Sequence, residues 1–293
     1  MKRIIIFLLL VSNIGFAQYL VNPYILQSSD TWSALPSAMY SLRKVNGAVG
    51  SLTIKVRRSS DNTTTDIGFL DKELDTVSLK NFCGSGNCFV RDWFDLSGNG
   101  FTLSQTTNAN QPSIVTNGVI NRSAGQGRPM VVFNGSTAFL TVTPLFSVSN
   151  NSGVTQSIVF QRSAASEGQL MSQGQSASYF NWGLFLTSNG DVYFRNTNND
   201  YKIGTSNASL STVTVYNAIS SGASTTAKKD AVSQGSTANG TTSGTGGTFT
   251  VGRRNGDNSQ YFNGGISEIL IFNSAIGTQD NLNLESNQIT YYK

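Results

Sequence analysis

The sequence contains no histidine, and this absence excludes several classes of active site. Serine–histidine–aspartate hydrolysis, cysteine–histidine proteolysis and histidine-ligated zinc or iron all need an imidazole. The chain has only two cysteines, too few for a thiolate metal site. Any acid–base chemistry must therefore use Asp, Glu, Tyr or Lys. Among hydrolases, this leaves the glycosidases that work with a pair of carboxylates.

Charged side chains are also scarce, at 12% of the 293 residues, where soluble domains usually have about 25%. Basic residues exceed acidic ones by four, and the excess falls to two without Lys2 and Arg3. Binding to a phosphate backbone needs a strongly basic face, which so small an excess does not supply. The sequence therefore predicts no nucleic-acid partner.

The start of the chain has the order of a secretory signal peptide. Basic residues 2–3 precede the apolar run 4–11, and the small-residue segment 15–17 comes before the expected cleavage point. A membrane anchor is the alternative, but the run is too short to cross a hydrocarbon core of about 30 Å. We expect residues 1–17 to be removed and residues 18–293 to be exported as one domain without a membrane span.

Alternation of apolar and polar residues predicts many short strands. Leu52, Ile54 and Val56 share one face of a strand over residues 50–57. Further strands are predicted over residues 88–96, 130–133, 138–142, 157–161, 180–187, 192–195, 212–219, 248–253 and 265–272. The pairs Asn134-Gly135 and Asn189-Gly190 each predict a hairpin turn. Many short strands without long helices indicate an all-β antiparallel sandwich.

A few short helices and weak edge strands complete the prediction. Leu35, Met39 and Leu42 have near-helical spacing, which favours a helix within residues 33–45. Asp75 is a suitable N-cap for a helical turn that follows it, and residues 278–292 suit a polar helix. The Ser/Thr/Gly-rich tract 220–247 has two interpretations. It is either a linker or, since strands flank it, a set of edge strands with long loops, in which residues 228–232 form one edge strand.

The two cysteines, Cys83 and Cys88, are separated by a short glycine-containing segment. In an exported protein such a pair is expected to close a small disulfide loop. A reactive thiol pair is the alternative, but the Cys-X-X-Cys spacing is missing.

Four ordered landmarks carry a resemblance to a known family. They are Met39-Tyr-Ser-Leu-Arg43, the segment 56–64 (VRRSSDNTT), the Cys83–Cys88 loop and the segment 93–100 (WFDLSGNG). Together they resemble the start of the alpha-L-arabinofuranosidase B catalytic domain. The stretch 251–273 looks more generally like laminin-G-like modules. The resemblance implies a concanavalin A-like (laminin-G-like) jelly-roll sandwich and, for the family, release of arabinofuranose from plant polysaccharide.

The resemblance also implies a glutamate nucleophile and an aspartate acid/base in a G-D-N-S turn. Residues 256–259 match that turn, so Asp257 is the candidate acid/base, although it also suits a plain turn residue. The glutamate's counterpart falls in residues 181–184, which contain no carboxylate. A retaining mechanism needs two carboxyl groups about 5 Å apart. Other carboxylates remain as partners: Glu167, Asp191 and Asp200.

Aromatic and amide side chains suggest where a sugar would bind, since sugar rings stack on aromatic faces. The candidate contacts are Asn181, Trp182, Asn199, Tyr201, Arg254 and Tyr261. Core packing is the alternative for the aromatic residues. Oxygen atoms of Asp92, Asp95 and Asn99 would offer a few of the ligands that calcium needs, but Asp95 also suits a turn-shaping role. Otherwise we expect no metal or cofactor.

The sequence thus favours a secreted carbohydrate-binding or surface-interaction protein whose partner is a polysaccharide or glycan. The first alternative is an active alpha-L-arabinofuranosidase-type glycoside hydrolase. The second is a structural or adhesive exoprotein that binds protein ligands. Because residues 181–184 contain no carboxylate to act as the nucleophile, the sequence favours binding over cleavage.

Overall fold

The computed structural model describes residues 32–143, 145, 153–176, 179–196, 199–203, 207–238, 247–255 and 259–293. The predicted signal peptide and Asp257 lie outside these residues. The described part contains twenty strands and two α-helices. None of its helices is long and apolar enough to cross a membrane.

The strands follow one another with short connections. In chain order they are β1 (Ala38–Ser41), β2 (Leu52–Arg58), β3 (Thr64–Leu70), β4 (Glu73–Leu74), β5 (Cys88–Trp93), β6 (Leu103–Ser104), β7 (Ser113–Thr116), β8 (Val119–Ile120), β9 (Val131–Asn134), β10 (Leu140–Val142), β11 (Val154–Arg162), β12 (Gly168–Ser176), β13 (Tyr179–Leu186), β14 (Val192–Asn196), β15 (Asn199–Lys202), β16 (Val213–Ser220), β17 (Ser224–Lys229), β18 (Val232–Ala238), β19 (Thr248–Val251) and β20 (Asn263–Phe272). The helices are α1 (Thr76–Cys83) and α2 (Thr278–Tyr292).

Antiparallel pairing arranges these strands in two layers. The front sheet has the order β15-β14-β13-β12-β19-β10-β6-β5-β2-β3. The back sheet has the order β18-β17-β16-β11-β20, and β1 and β9 pair with different parts of the far side of β20. Strand β7 pairs with both β5 and β9 and so joins the two layers. The predicted all-β antiparallel sandwich is confirmed.

Large aromatic side chains fill the space between the layers. Tyr40, Trp93, Trp182 and Phe249 are completely buried. The ring centroids of Trp182 and Phe249 are 5.5 Å apart, and those of Tyr40 and Phe249 are 6.4 Å apart. These rings link β1, β5, β13 and β19, so the front sheet is held to the back sheet by contacts between residues distant in sequence.

Two local predictions are wrong. Residues 38–41 form β1 and not a helix, because they pair with Glu268–Ile271 of β20 and are buried on both faces. The turn at Asn134-Gly135 does not close a hairpin, since β9 pairs with β20 and β7 whereas β10 pairs with β19 and β6. The Asn134 side chain accepts three backbone N–H bonds there, and the chain crosses from one layer to the other.

Other local predictions are confirmed. Asp75 caps α1 by accepting the Ser78 backbone N–H at 2.9 Å. Cys83 and Cys88 form a disulfide with a Cα–Cα distance of 5.8 Å. The turn at Asn189-Gly190 joins the hairpin of β13 and β14. The Ser/Thr/Gly-rich tract contributes the edge hairpin of β17 and β18, and α2 spans residues 278–292. The edge strand expected near residues 228–232 is not one strand, because residues 230–231 form the turn of this hairpin.

Helix α2 covers the outer face of the back sheet through a buried polar cluster around Glu268. The Glu268 carboxylate is completely buried. One oxygen accepts hydrogen bonds from Ser41 Oγ at 2.9 Å, Arg43 Nε at 2.8 Å and the Tyr292 hydroxyl at 3.1 Å. The other accepts from Arg43 Nη2 at 3.2 Å and Gln288 Nε2 at 3.1 Å. This Glu268 cluster ties α2 to β1 and β20.

Candidate functional site

Strand register brings polar residues of the front sheet into one row on its outer face. Residues that pair directly across strands project to the same face. Successive register partners across ten strands are Asp66, Lys55, Asp92, Ser104, Thr141, Thr250, Ser172, Gly183, Arg195 and Asp200. From Asp66 to Arg195 the row faces outward, because its sequence neighbours Trp93, Trp182 and Phe249 belong to the core. Of Asp200 only the strand position is described. We call this set the polar row.

The middle of the polar row is covered, whereas one end is open. Ser172 and Thr250 are completely buried, and neither hydroxyl has a hydrogen-bond partner among the described residues. Gly183 lies beside them, and a Cβ there would come within 2.6 Å of the Met171 carbonyl oxygen, so only glycine allows this approach of β12 and β13. At the open end, Lys55 Nζ lies 3.1 Å from Asp66 Oδ1.

Arg195 supplies a fixed positive charge in the row. Its guanidinium carbon lies 4.9 Å from the ring centroid of Phe185, and its Nη1 donates to Gln169 Oε1 at 3.3 Å. Gln169 is itself fixed, because its Nε2 donates to the carbonyl oxygens of Met171 and Leu184, both at 2.9 Å. These contacts hold the guanidinium in one orientation on β14.

The loop after β19 folds back along β12, at the middle of the row. Asn255 Nδ2 donates to the Gly174 carbonyl oxygen at 2.6 Å, and the Gln169 backbone N–H donates to the Gln260 carbonyl oxygen at 2.8 Å. These two anchor points on β12 lie on either side of Ser172 in the sequence. The residues between Asn255 and Ser259, including Asp257, lie outside the described part of the chain.

The predicted sugar-contact residues lie in the loop after β19, in strands β13 and β15, and, for Trp182, in the core. Arg254 and Tyr261 are half-buried in the loop after β19, and the Arg254 N–H donates to the Ser259 carbonyl oxygen at 3.0 Å. Asn181 lies in β13, and Asn199 and Tyr201 lie in β15; only the strand positions of these three residues are described. The structure thus brings the loop residues and β13 to the same part of the front sheet.

Trp182 has a different position from the other predicted contacts. Its side chain is completely buried and faces Phe249 in the core. A ring with no exposed face offers no surface on which a sugar can stack. In this structure Trp182 packs the sandwich, which is the alternative that applies to any strand aromatic.

Two of the described acidic residues of this region lie beside basic side chains. Lys202 Nζ donates a hydrogen bond to Asp191 Oδ2 at 2.6 Å, and this bond raises the pKa of Lys202. Asp92 lies in the polar row with its Oδ2 3.6 Å from Arg91 Nη1. Glu167 is exposed just before β12.

Asp95 has the turn-shaping role. Its carboxylate accepts the backbone N–H groups of Met39, Ser97 and Phe101 at 2.9–3.0 Å and the Ser97 hydroxyl at 2.8 Å. These bonds hold the turn that follows β5. Within the described residues, no group of three or more His, Cys, Asp or Glu side chains is placed to hold a metal ion.

Comparison with known proteins agrees with this architecture. Residues 34–174 match the family model for the catalytic domain of alpha-L-arabinofuranosidase B. A crystal structure of arabinofuranosidase complexed with arabinofuranosyl-alpha-1,2-xylobiose is 15% identical, with a TM-score of 0.69 over 88% of this chain. A GH54 alpha-L-arabinofuranosidase soaked with a cyclic sulfate inhibitor is 16% identical, with a TM-score of 0.71 over the same share. This chain has an arabinofuranosidase B catalytic-domain-like fold.

The match covers only part of each arabinofuranosidase structure. The chain spans 63% of the length of each of them. No curated protein matches the sequence. Export and the laminin-G-like character of residues 251–273 stay predictions.

The sequence did not predict the polar row. Each strand shows the outward polar residue in its alternation, for example Lys55 between Ile54 and Val56. However, alternation within a strand carries no information about which residue of another strand lies opposite. Ser172, Thr250 and Arg195 become neighbours only through the register of β19, β12, β13 and β14.

Proposed function

We propose that this chain is an alpha-L-arabinofuranosidase-type glycoside hydrolase that acts on plant polysaccharide. The observation that carries the proposal is the polar row on the outer face of the front sheet. The described ends of the loop that contains the candidate acid/base, Asp257, are anchored on β12 at either side of the row member Ser172. Because Ser172 and Thr250 in the middle of the row are buried, a hydroxyl-rich substrate would meet the exposed polar groups at the open end of the row and the half-buried Arg254 and Tyr261 of this loop. The family match of residues 34–174 supports the same reaction class.

In this proposal Asp257 protonates the leaving oxygen and later activates water. A retaining reaction also needs a carboxylate nucleophile about 5 Å from it. Of the three remaining candidates, Asp200 alone belongs to the polar row, where it is the register partner of Arg195. Asp191 is already paired with Lys202, and Glu167 lies before β12 begins. We therefore propose Asp200 as the nucleophile.

Sugar contacts follow from the same region. We propose that Arg254 and Tyr261, at the two sides of the Asp257 turn, contact the sugar from the loop. Asn181, Asn199 and Tyr201 are proposed to contact it from β13 and β15. The basic, apolar and small-residue order of residues 1–17 supports a proposed export, which would bring the protein to an extracellular polysaccharide.

Hydrolysis of 4-nitrophenyl alpha-L-arabinofuranoside and release of arabinose from arabinan test the proposal. Asp257→Asn should lower kcat by roughly 100-fold to 10,000-fold, because an amide cannot transfer the proton. Asp200→Asn should have an effect at least as large. Asp71→Asn is the matched control, since Asp71 is exposed in the turn between β3 and β4 and lies outside the polar row. Folded wild-type protein that releases no product from either substrate would refute the proposal.

Carbohydrate binding without cleavage is the second candidate, and one observation favours it. The middle of the polar row consists of Ser172, Gly183 and Thr250, none of which ionises. In that case the protein should be retarded on a polysaccharide affinity gel while releasing no sugar. Tyr261→Ala should weaken the retardation. Retardation without turnover would select binding, and neither effect on a broad glycan panel would point to a protein ligand.

A further inference from the structure

Three side chains that can react with one another meet where α2 lies on the back sheet. Asn217 of β16 and Lys228 of β17 are direct register partners, so their side chains project to the same face of the sheet. Glu285 of α2 packs onto that face, and its Oε2 lies 3.0 Å from Lys228 Nζ. The Asn217 amide also donates a hydrogen bond to the Glu285 carboxylate. One carboxylate therefore contacts both an amine and a carboxamide that lie side by side on adjacent strands.

The surroundings largely exclude water from this contact. Asn217 is 1% exposed, and the side chains of Glu285 and Lys228 are 2% and 25% exposed. Ile219, on the same face as Asn217, packs against a buried apolar cluster. The Asn217 amide is also held in place, because its Nδ2 donates to Asn281 Oδ1 at 3.3 Å. The amine and the carboxamide are thus kept together in a setting of low polarity.

Burial favours the uncharged forms of the amine and the carboxyl group. Desolvation raises the pKa of Glu285 above its usual value, although the hydrogen bonds from Lys228 and Asn217 act in the opposite direction. A carboxylate with a raised pKa takes a proton from a neighbouring ammonium more readily, and this leaves a neutral, nucleophilic amine. Glu285 Oε1 is buried and has no hydrogen-bond donor in the described part of the chain, so it is an open position for that proton.

We propose that Lys228 and Asn217 form an intramolecular isopeptide bond, with Glu285 as the proton shuttle. Lys228 Nζ attacks Asn217 Cγ, and the new C–N bond replaces the bond from Cγ to Nδ2. The lysine nitrogen gives up two protons through Glu285. One goes to the leaving Nδ2, which departs as ammonia, and the other stays on the buried carboxyl group. The reaction needs no oxidant, cofactor or second substrate.

The isopeptide bond would close the hairpin of β16 and β17 covalently. Within the described residues, the edge strand β18 pairs only with β17, so the whole edge of the back sheet depends on the contact between β16 and β17. Edges of sheets are among the parts of a fold that open most easily. A covalent bond at this position would hold the edge on the sandwich, independently of any activity on the front sheet.

The intact mass of the purified mature chain tests the proposal. It should be lower by one ammonia than the mass calculated from the sequence with the Cys83–Cys88 disulfide included. Tandem mass spectrometry should find no backbone fragments that separate position 217 from position 228, because the ring holds them together. Lys228→Arg should restore the full mass, since a guanidinium stays protonated and does not attack. Lys229→Arg is the matched control and should keep the ammonia loss, because Lys229 Nζ donates instead to the Asn207 carbonyl oxygen.

A second variant separates the chemistry from the packing. Glu285→Gln keeps the shape of the side chain but cannot transfer a proton, so the folded variant should have the full mass. Wild-type protein of full mass would overturn the proposal. So would an ammonia loss that persists in Lys228→Arg, since the ammonia would then come from elsewhere in the chain. A Glu285→Gln chain that still carries the bond would overturn the role of Glu285. Hydrolysis of nitrophenyl arabinofuranoside is measured separately, so failure of either proposal leaves the other open to test.

Discussion

Substitution of Glu268 by Gln should strongly destabilise the protein, because this carboxylate is the acceptor for five hydrogen bonds in the Glu268 cluster. The replacement leaves the charge of Arg43, whose side chain is only 8% exposed, without its counter-ion. It also turns an amide N–H₂ group toward donors. Removal of one partner of a buried ion pair costs about 3–5 kcal/mol. For a domain of this size, at about 2–4 °C per kcal/mol, that corresponds to a Tm lower by about 6–20 °C.

The effect should depend on pH in a defined direction. Burial alone would raise the pKa of Glu268, but the charge and hydrogen bonds of Arg43, with further bonds from Gln288 and Ser41, outweigh it and hold the pKa below its usual value. The contribution to stability is therefore complete above the unfolded-state pKa of about 4.3. It is lost as the pH falls through the folded-state pKa. The stability difference between wild type and Glu268→Gln should shrink in acid.

Chemical and thermal unfolding, followed by circular dichroism, measure these differences. Glu73→Gln is the matched control, since the Glu73 side chain is 48% exposed, lies 3.5 Å from Arg128 Nη1 and accepts a hydrogen bond from the Tyr291 hydroxyl, which the amide oxygen of Gln can also accept. An exposed pair of this kind contributes less than about 1 kcal/mol. Equal losses for Glu268→Gln and Glu73→Gln would refute the reasoning. So would a Glu268→Gln deficit that does not change between neutral and acid pH.

Two further predictions concern the front sheet. Trp182→Ala should lower the free energy of unfolding by about 3–5 kcal/mol, since it opens a cavity beside Phe249. Urea titration measures this, and a fully stable variant would contradict the core position of the ring. Asp95→Ala should cost about 2 kcal/mol or more, because the backbone N–H groups of Met39 and Phe101 lose their acceptor. Thermal unfolding checks it, and an unchanged Tm would show that the turn holds without the carboxylate.

The elements that sequence reasoning identified have their causes within a few residues. Asp75 caps α1 three residues before the N–H that it accepts. The Cys83–Cys88 loop closes over a separation of five residues. Period-two alternation placed β2, because the side chains of a strand point alternately to its two faces. Such features depend on local backbone geometry, so the sequence alone is enough to predict them.

The features that it missed depend on partners far along the chain. Ser41 and Glu268 are direct partners in β1 and β20, 227 residues apart in sequence. That pairing overrides the helical spacing around Met39, because strand hydrogen bonds to β20 and burial on both faces outweigh a weak local preference. Trp182 is similar, since both faces of β13 carry large side chains and only the position of Phe249 decides which face is the core.

The sequence by itself determined the all-β architecture, the disulfide, the capped helix α1 and the absence of any histidine-based chemistry. Only the tertiary structure decided that ten strands align their outward residues into the polar row and that Asn217 and Lys228 meet Glu285 of α2. The physical reason is the same in both cases. Alternation determines the face of a residue within its own strand, whereas its neighbours on that face are determined by strand register, which is set by packing across the whole sandwich.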